Sequence, residues 1–532
     1  MRKRYFSLLV AALLLAFPVS AGAAPIIELP DTGSLEQPEP GPSGSYVAVD
    51  PTSGTLIADS GFQVKRDGFS FANWGEPDAL HRRSMTPATM QSLYGDRICA
   101  RIVDGACILS ATGEVLEQDS NESSNGGHCF GMAAVAGLFA TGQLDKTGYV
   151  PAGQNLYDVG PSDQLDGLIS RYYNTQSALP TANTSTRSSV ASTLDQIRAA
   201  WQRGDQLLLG IYGEVGGHGI TPIALRDLGQ GKTGIVVYDN NFPGEEKMMV
   251  ADAEADTWYY TTALNPTDES YLFVGSPSNQ MILFPLSQMT GIHECPTCHD
   301  VGDESVLVLV KDKTENPDGT ANDWTLGITT PDGRRVAGIE KLEYTNTQRA
   351  ELYRVPAGAA FKLSIGGVPL GQAANIDVSI LGDGWINEVD NLALLPGAIA
   401  SMTVDDNQRR LSVSSNYPVT PRLTVAGEEA DWSVSAKATG LDLLPGSTVS
   451  VGRDTDGDYT FGLAGIGLPG SVKVDVKRSD TTADHVATTG GPVTIPVGAT
   501  GSVAAETWDG STPLTFRVTD GGAGQTYPMP GR

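Results

Sequence analysis

The sequence NGGHCFGMAA, residues 125–134, decides how the first half of the chain is predicted to fold. A polar, glycine-rich loop ends at Cys129, and an apolar run rich in alanine follows at once. This change of texture predicts a loop that leads into a buried helix, with Cys129 at or near its first residue. The positive end of a helix dipole favours a thiolate, the nucleophilic form of cysteine, and free amides there can face a developing oxyanion. Cys129 is therefore the candidate nucleophile.

A second motif supplies a candidate base. The stretch GGHGITPIAL, residues 216–225, predicts a glycine turn that enters a strand, and TGIVVYDNN, residues 233–241, predicts a strand that ends in an acid and two amides. The turn-forming residues between them predict a hairpin, which places the start of its first strand beside the end of its second. We therefore expect His218 to lie next to Asp239, with Asn240 and Asn241 as alternative groups that orient its imidazole.

Three short motifs resemble the papain-like cysteine peptidase superfamily, of the papain and bacteriocin-leader-peptidase kind. GHCF at residues 127–130 is similar to its Gly-x-Cys-aromatic signature, HGI at 218–220 to its histidine strand, and YD at 238–239 to the place of its Asp or Asn. The resemblance covers about residues 61–300.

The resemblance implies an α+β, papain-like catalytic domain that cleaves peptide bonds. In that mechanism Cys129 is the thiolate nucleophile, His218 transfers the proton and Asp239 orients His218. The glutamine that papain-type enzymes place before the cysteine is Ser123 here. Asn125 is therefore the oxyanion candidate, with Asn121 as its alternative.

Composition limits the compartment and the partners. The formal net charge of −27 argues against nucleic acid or an anionic membrane surface as a partner. Residues 1–23 combine a basic start, an apolar run and a small-residue cleavage site, which predicts a secretory signal peptide and a secreted, extracellular or periplasmic protein without membrane insertion. Residues 24–60 are rich in proline and glycine, and predict a flexible leader or linker that is alternatively a propeptide.

The five cysteines are an odd number, which leaves one thiol over in an oxidising compartment. The motif assigns that thiol to Cys129. The disulfide candidates, whose pairing the sequence leaves open, are Cys99, Cys107, Cys295 and Cys298.

The last two cysteines lie in HECPTCH, residues 293–299. This pattern also admits a metal site with His293 and His299, or attachment of a c-type haem. A link stapled by a disulfide is favoured, so neither a metal nor a cofactor is predicted.

From residue 304 onward, short strands alternate with turns rich in glycine, proline, aspartate and asparagine. This texture predicts two all-β sandwich modules of the immunoglobulin-like (Ig-like) kind, at residues 301–417 and 418–532, with their boundary at Pro418 to Pro421. We expect them to act as spacers or to bind a surface or a protein. We also expect residues 61–300 to fold and to act on a peptide or protein substrate without them.

Two other functions use the same features. A transglutaminase-type acyl transferase uses the same residue types in the same order, and differs in whether water or an amine resolves the acyl-enzyme. A secreted adhesion or binding protein would use the β modules and carry an inactive peptidase-like domain.

Overall fold

The computed structural model describes residues 48–531 apart from 77–79, 82–84, 214–215, 296–297, 299–303, 315–322, 343–348, 406, 408, 430, 466–468, 481–482 and 521–523. The predicted signal peptide, the first part of the leader and His299 lie outside these residues. The described end of the leader is not a loose linker, because Thr55–Asp59 forms an edge strand on the sheet that carries His218. The prediction of a flexible segment up to residue 60 is wrong for this part.

The described α-helices all precede residue 203, and strands dominate the rest. The helices are α1 Val64–Asp67, α2 Pro87–Tyr94, α3 Ala111–Ser124, α4 Cys129–Thr141, α5 Asp163–Asn174, α6 Thr181–Thr184 and α7 Val190–Gln202. The strands of this first region are β1 Thr55–Asp59, β2 Cys99–Val103, β3 Ala106–Leu109, β4 Thr186–Arg187, β5 Leu207–Gly213, β6 Gly216–Gly229, β7 Lys232–Tyr238, β8 Glu246–Asp252, β9 Thr257–Thr262, β10 Tyr271–Gly275 and β11 Ile282–Pro285.

The first region is built on one antiparallel sheet in the order β10-β9-β8-β7-β6-β5-β11-β4, with β1 also paired to β6. Helix α4 packs on one face and helix α7 on the other. Alternation along β7 shows this directly, because Val236 and Tyr238 join the core around α4 while Ile235 and Val237 join the core around α7. Every residue of α4 from Cys129 to Phe139 is buried, as expected for a helix that is apolar all round.

The region after residue 304 is a sandwich of two antiparallel sheets. Its strands are β12 Ser305–Asp312, β13 Thr325–Thr329, β14 Glu340–Leu342, β15 Ala350–Pro356, β16 Phe361–Gly366, β17 Ala374–Gly382, β18 Trp385–Leu394, β19 Ile399–Val404, β20 Arg410–Ser415, β21 Arg422–Glu428, β22 Trp432–Thr439, β23 Ser447–Arg453, β24 Tyr459–Gly465, β25 Gly470–Asp480, β26 Asp484–Thr488, β27 Val493–Ile495, β28 Thr500–Val503, β29 Leu514–Thr519 and β30 Gly524–Met529. One sheet has the order β14-β15-β12-β17-β18-β21-β22-β25-β26, with β27 on β25, and the other has the order β13-β16-β19-β20-β23-β24-β28-β29-β30.

Both sheets run without a break past the predicted boundary at Pro418. Strand β18 pairs with β21 in the first sheet, and β20 pairs with β23 in the second. One hydrophobic core extends from Val306 to Met529 between the two sheets. The two predicted modules are therefore one sandwich. Similar strand texture on both sides of a proline-rich turn does not reveal which strands pair.

The outer face of the first sandwich sheet is covered by α3. Leu307 and Leu309 of β12 turn away from the sandwich core and pack with Ala111 and Val115 of α3. Because α3 comes immediately before the loop that leads to Cys129, the sandwich contacts the first region at a central element. The expectation that residues 61–300 form an independent unit does not agree with this interface.

The cysteines divide as the count predicts. Cys99 is bonded to Cys107, which joins β2 to β3, and Cys295 is bonded to Cys298. Cys129 is a free, buried thiol. Within the described part of the chain, no helix is long and apolar enough to cross a membrane.

Candidate active site

Cys129 is the first residue of α4, as the sequence predicts. Its side chain is almost fully buried, and the backbone N–H of Gly219 points at its sulfur with an N–Sγ distance of 3.4 Å. The helix dipole and this N–H both favour negative charge on the sulfur. The sulfur therefore lies at the start of α4 and faces a backbone donor.

Close backbone packing brings the histidine strand to the start of α4. A Cβ at Gly219 would lie 3.0 Å from Phe130 Cα, so a side chain there would force β6 away from the helix. A Cβ at Gly131 would lie 2.1 Å from the carbonyl oxygen of Ile169 in α5. Glycine at these two positions lets α4 sit tightly between β6 and α5, which places His218 beside Cys129.

His218 and Asp239 form a buried ion pair. His218 lies near the start of β6 and Asp239 directly follows β7, so the hairpin brings them together as predicted. The distance from His218 Nε2 to Asp239 Oδ1 is 2.8 Å, and neither side chain is exposed. The predicted neighbours are therefore in direct contact.

The charges of this group stabilise one another. Burial alone would lower the pKa of His218, but the Asp239 carboxylate and the neighbouring Cys129 sulfur outweigh it and raise that pKa to about 10. Burial acts to raise the pKa of Asp239, but His218 and further hydrogen bonds hold it below its usual value. His218 is therefore an imidazolium at neutral pH. Its other ring nitrogen, Nδ1, makes no well-aligned hydrogen bond with any described residue.

Three further donors hold the Asp239 carboxylate. Oδ1 accepts from the backbone N–H of Asn241 at 2.9 Å. Oδ2 accepts from the hydroxyls of Tyr260 at 2.8 Å and Thr262 at 2.7 Å. These two residues lie on one face of β9, and no motif in the sequence marks them. Hydroxyl residues that alternate on a strand are common, and only the fold shows that this pair faces Asp239.

The two asparagines after Asp239 have other partners. Asn240 Nδ2 donates to the carbonyl oxygens of Cys129 at 2.9 Å and Gly219 at 3.1 Å, which ties α4 to β6. Asn241 Nδ2 donates to the carbonyl oxygen of Ala263 at 2.7 Å. Among these alternatives, Asp239 alone contacts the imidazole.

The two predicted side-chain donors for an oxyanion have different surroundings, and the role of Asn125 stays a prediction. Asn125 caps the end of α3, and no hydrogen bond joins its half-buried side chain to Cys129 in the described part of the chain. The Asn121 side chain is hydrogen-bonded to the backbone of Met85: its Oδ1 accepts from the Met85 N–H at 3.2 Å, and its Nδ2 donates to the Met85 carbonyl oxygen at 2.9 Å. The backbone N–H of Cys129 at the helix start remains the donor that the geometry supports.

His128 packs against Trp74. The two rings stack with their centroids 4.3 Å apart, and His128 Nδ1 lies 3.0 Å from the carbonyl oxygen of Trp74. The backbone N–H of His128 donates to Asn73 Oδ1 at 2.7 Å. Burial lowers the pKa of His128 to about 4, so its imidazole is neutral at physiological pH. Its contacts fix the loop before Cys129.

Most of the described members of the two candidate metal clusters have other bonding partners. Cys295 and Cys298 are bonded to each other in a disulfide, so their sulfurs are not thiolate ligands. His293 Nε2 lies within hydrogen-bond distance of Thr181 Oγ1, at 2.9 Å. Elsewhere, carboxylate oxygens of Asp119, Glu388 and Asp390 lie within 4.8 Å of one another.

Two basic side chains already contact this acidic cluster, Lys437 at Asp119 and Arg422 at Asp390. Ion pairs therefore account for Asp119 and Asp390, and Glu388 accepts a hydrogen bond from the Ser379 hydroxyl at 2.7 Å.

Comparison of the chain with models of protein families, with curated proteins and with solved structures finds no match.

Proposed function

We propose that this chain is an exported cysteine hydrolase that cleaves peptide bonds in a peptide or protein substrate. The observation that carries the proposal is the buried line from Cys129 through His218 to Asp239. A free thiol starts a helix, an imidazolium lies beside it, and a carboxylate with four hydrogen bonds holds that imidazolium. These are the parts that thiol catalysis needs: a nucleophile, a proton donor and an orienting group.

Acylation uses the ion pair as it stands. The Cys129 thiolate attacks the carbonyl carbon of the scissile bond, and the N–H of Cys129 donates to the oxygen that becomes negative. The C–N bond breaks as His218 gives its Nδ1 proton to the leaving amine. A thioester joins the acyl half of the substrate to Cys129, and His218 is left neutral.

Deacylation returns the starting charges. Neutral His218 takes a proton from water through Nδ1, and the water oxygen attacks the thioester carbonyl. The carboxylic acid product leaves, and the thiolate and imidazolium form again. Throughout both steps Asp239 keeps the Nε2 proton in place and so fixes which ring nitrogen faces the sulfur.

The remaining features support export. Two disulfides lie in the described chain, and disulfides persist in oxidising compartments. The predicted signal peptide points to the same compartment. A papain-like topology is part of the proposal, supported by a cysteine at the start of a buried helix that packs on an antiparallel sheet bearing His218 and Asp239.

A peptide-library digestion tests this function. The protein without residues 1–23 should cleave peptides, and its Cys129→Ala variant should not. Iodoacetamide should label Cys129 in the folded protein at neutral pH, and an inactive binding protein would show neither labelling nor cleavage. Adding a primary amine separates hydrolysis from acyl transfer: products that carry the amine instead of a free carboxylate would replace the hydrolase with an acyl transferase.

A further inference from the structure

Helix α3 lies along strand β22 with matching spacing. Four residues of helix rise about 6 Å and two residues of strand about 7 Å, so every fourth helix residue meets every second strand residue. The side-chain contacts follow this rule: Ser433 Oγ donates to Glu114 Oε1 at 2.6 Å, Ser435 Oγ to Gln118 Oε1 at 3.2 Å, and Lys437 Nζ to Glu122 Oε2 at 3.1 Å. The sandwich therefore holds α3 at successive turns up to its C-terminal end.

The last contact of this series is a fully buried cation. Lys437 Nζ also lies 2.5 Å from Asp119 Oδ1, and the lysine side chain has no exposed surface. Burial would lower the pKa of Lys437, but the carboxylates of Asp119 and Glu122 outweigh it and raise that pKa. Arg422 adds a second cation 3.3 Å from Glu122. The C-terminal turn of α3 is therefore held by charge as well as by packing.

That turn leads directly to the nucleophile. The carbonyl oxygen of Glu122 accepts from the N–H of Asn125 at 3.1 Å, and that of Ser124 accepts from the N–H of Gly127 at 2.9 Å. The carbonyl oxygen of Ser123 accepts from the Tyr173 hydroxyl at 3.1 Å. Four residues, 125–128, separate α3 from Cys129, and these bonds leave them little freedom. A shift of the end of α3 must move the start of α4.

We propose that Lys437 is a positioning residue for the thiol: through Asp119 and Glu122 it holds the end of α3, and through residues 125–128 it sets the position of the Cys129 sulfur against His218. The inference rests on the proposed function for the role of Cys129 as nucleophile. It makes the sandwich a structural part of the catalytic unit, in place of a separate spacer.

Three variants of the full chain test the proposal. Lys437→Met removes the charge and keeps much of the volume, and Lys437→Arg keeps the charge. Lys473→Met is the matched control, because Lys473 lies on the same sheet with 44 % of its side chain exposed and pairs with Asp475. The rate of Cys129 alkylation by iodoacetamide is measured from pH 5 to pH 9, with kcat and KM for a short peptide, at a temperature where circular dichroism shows each variant folded.

Lys437→Met should lower the alkylation rate at pH 6 by tenfold or more and move its pH profile upward. It should lower kcat and leave KM nearly unchanged, because the thiol moves relative to its base while the peptide still binds. Lys437→Arg should recover most of the rate, and Lys473→Met should match wild type. A folded Lys437→Met protein that alkylates at the wild-type rate across the pH range would overturn the proposal.

If Lys437→Met does not fold, the triple variant Lys437→Met, Asp119→Asn, Glu122→Gln replaces it, because it leaves no unpaired charge among these three residues. A slower alkylation at pH 6 would support the proposal, and the wild-type rate across the pH range would overturn it. The readouts also separate this inference from the proposed function. A wild-type protein that cleaves no peptide, with alkylation that depends on Lys437, would reject the hydrolase and keep the positioning role. Peptide cleavage with alkylation that is insensitive to Lys437 would do the reverse.

Discussion

Two of the buried charge clusters in the described part of the chain differ in how their charges are used. Between α3 and the sandwich, Lys477 pairs with Glu114 at 3.0 Å and with Glu117, and all three side chains are buried. At the site, the series of contacts from Asp239 ends at His218, whose Nδ1 makes no well-aligned hydrogen bond in the described structure. In the cluster around Lys477, the charged groups pair with one another. In the candidate catalytic group, the Nδ1 of His218 is left available for the free thiol of Cys129.

The difference follows from the cost of burial. A buried charge without partners is strongly unfavourable, so either cluster must be compensated. At the interface, opposite charges compensate one another. At the site, the carboxylate receives neutral donors from Asn241, Tyr260 and Thr262 in addition to His218. This arrangement keeps the imidazolium charged while its second nitrogen remains available for proton transfer.

Loss of the sulfur should have the largest effect. Cys129→Ala should lower kcat/KM for peptide hydrolysis by about 10⁴-fold or more, because no other group can form the acyl-enzyme. The melting temperature should change little. Thr141→Ala, at the other end of the same helix, is the control and should retain activity. Residual activity within tenfold of wild type would remove Cys129 from the role of nucleophile.

Loss of the negative charge of Asp239, which orients His218, should have the second largest effect on activity. Asp239→Asn should lower kcat/KM by about 10³-fold, because a neutral amide neither stabilises the imidazolium nor fixes its tautomer. Asp227→Asn, an exposed change near the turn end of β6 in the same hairpin, should have no effect on the kinetics. If the two variants behave alike in steady-state kinetics, the buried carboxylate does not act through His218.

Changes to the cluster of Lys477, Glu114 and Glu117 between α3 and the sandwich should affect the stability of the fold. Lys477→Met should lower the free energy of unfolding by about 3–5 kcal/mol, because it leaves Glu114 and Glu117 buried without a cation. Adding Glu114→Gln and Glu117→Gln should restore most of that loss, since the charges that needed the cation are gone. Urea denaturation measures both. If Lys477→Met lowers the free energy of unfolding by less than about 1 kcal/mol, the value of an exposed pair, then Lys477 does not stabilise the buried carboxyls of Glu114 and Glu117.

The sequence predicted the site better than its surroundings. Cys129 starts a helix and His218 meets Asp239, because glycine punctuation, apolar runs and a hairpin turn are local signals. The amides were less predictable. Asn240 and Asn241 follow Asp239 directly, and only the packing of α4 and β9 decides that they bind backbone carbonyls instead of the imidazole.

The interface was missed because its two halves are far apart in the chain. Helix α3 is rich in acidic and polar residues, a composition typical of a solvent-exposed helix. The lysines that neutralise it, Lys437 and Lys477, come more than 300 residues later. For the same reason the pairing of β18 with β21, which joins the two predicted modules, could not be found from local turns.

The pH dependence of Cys129 alkylation shows whether His218 and Cys129 form an ion pair. The raised pKa of His218, about 10, means that its positive charge is present throughout the neutral range and is lost only as pH rises through that value. The wild-type rate with iodoacetamide should therefore stay nearly constant from pH 6 to pH 9. In His218→Ala it should fall about tenfold for each unit below roughly pH 8.5, the behaviour of an ordinary thiol. Identical profiles for the two proteins would contradict the thiolate–imidazolium pair on which the proposed mechanism depends.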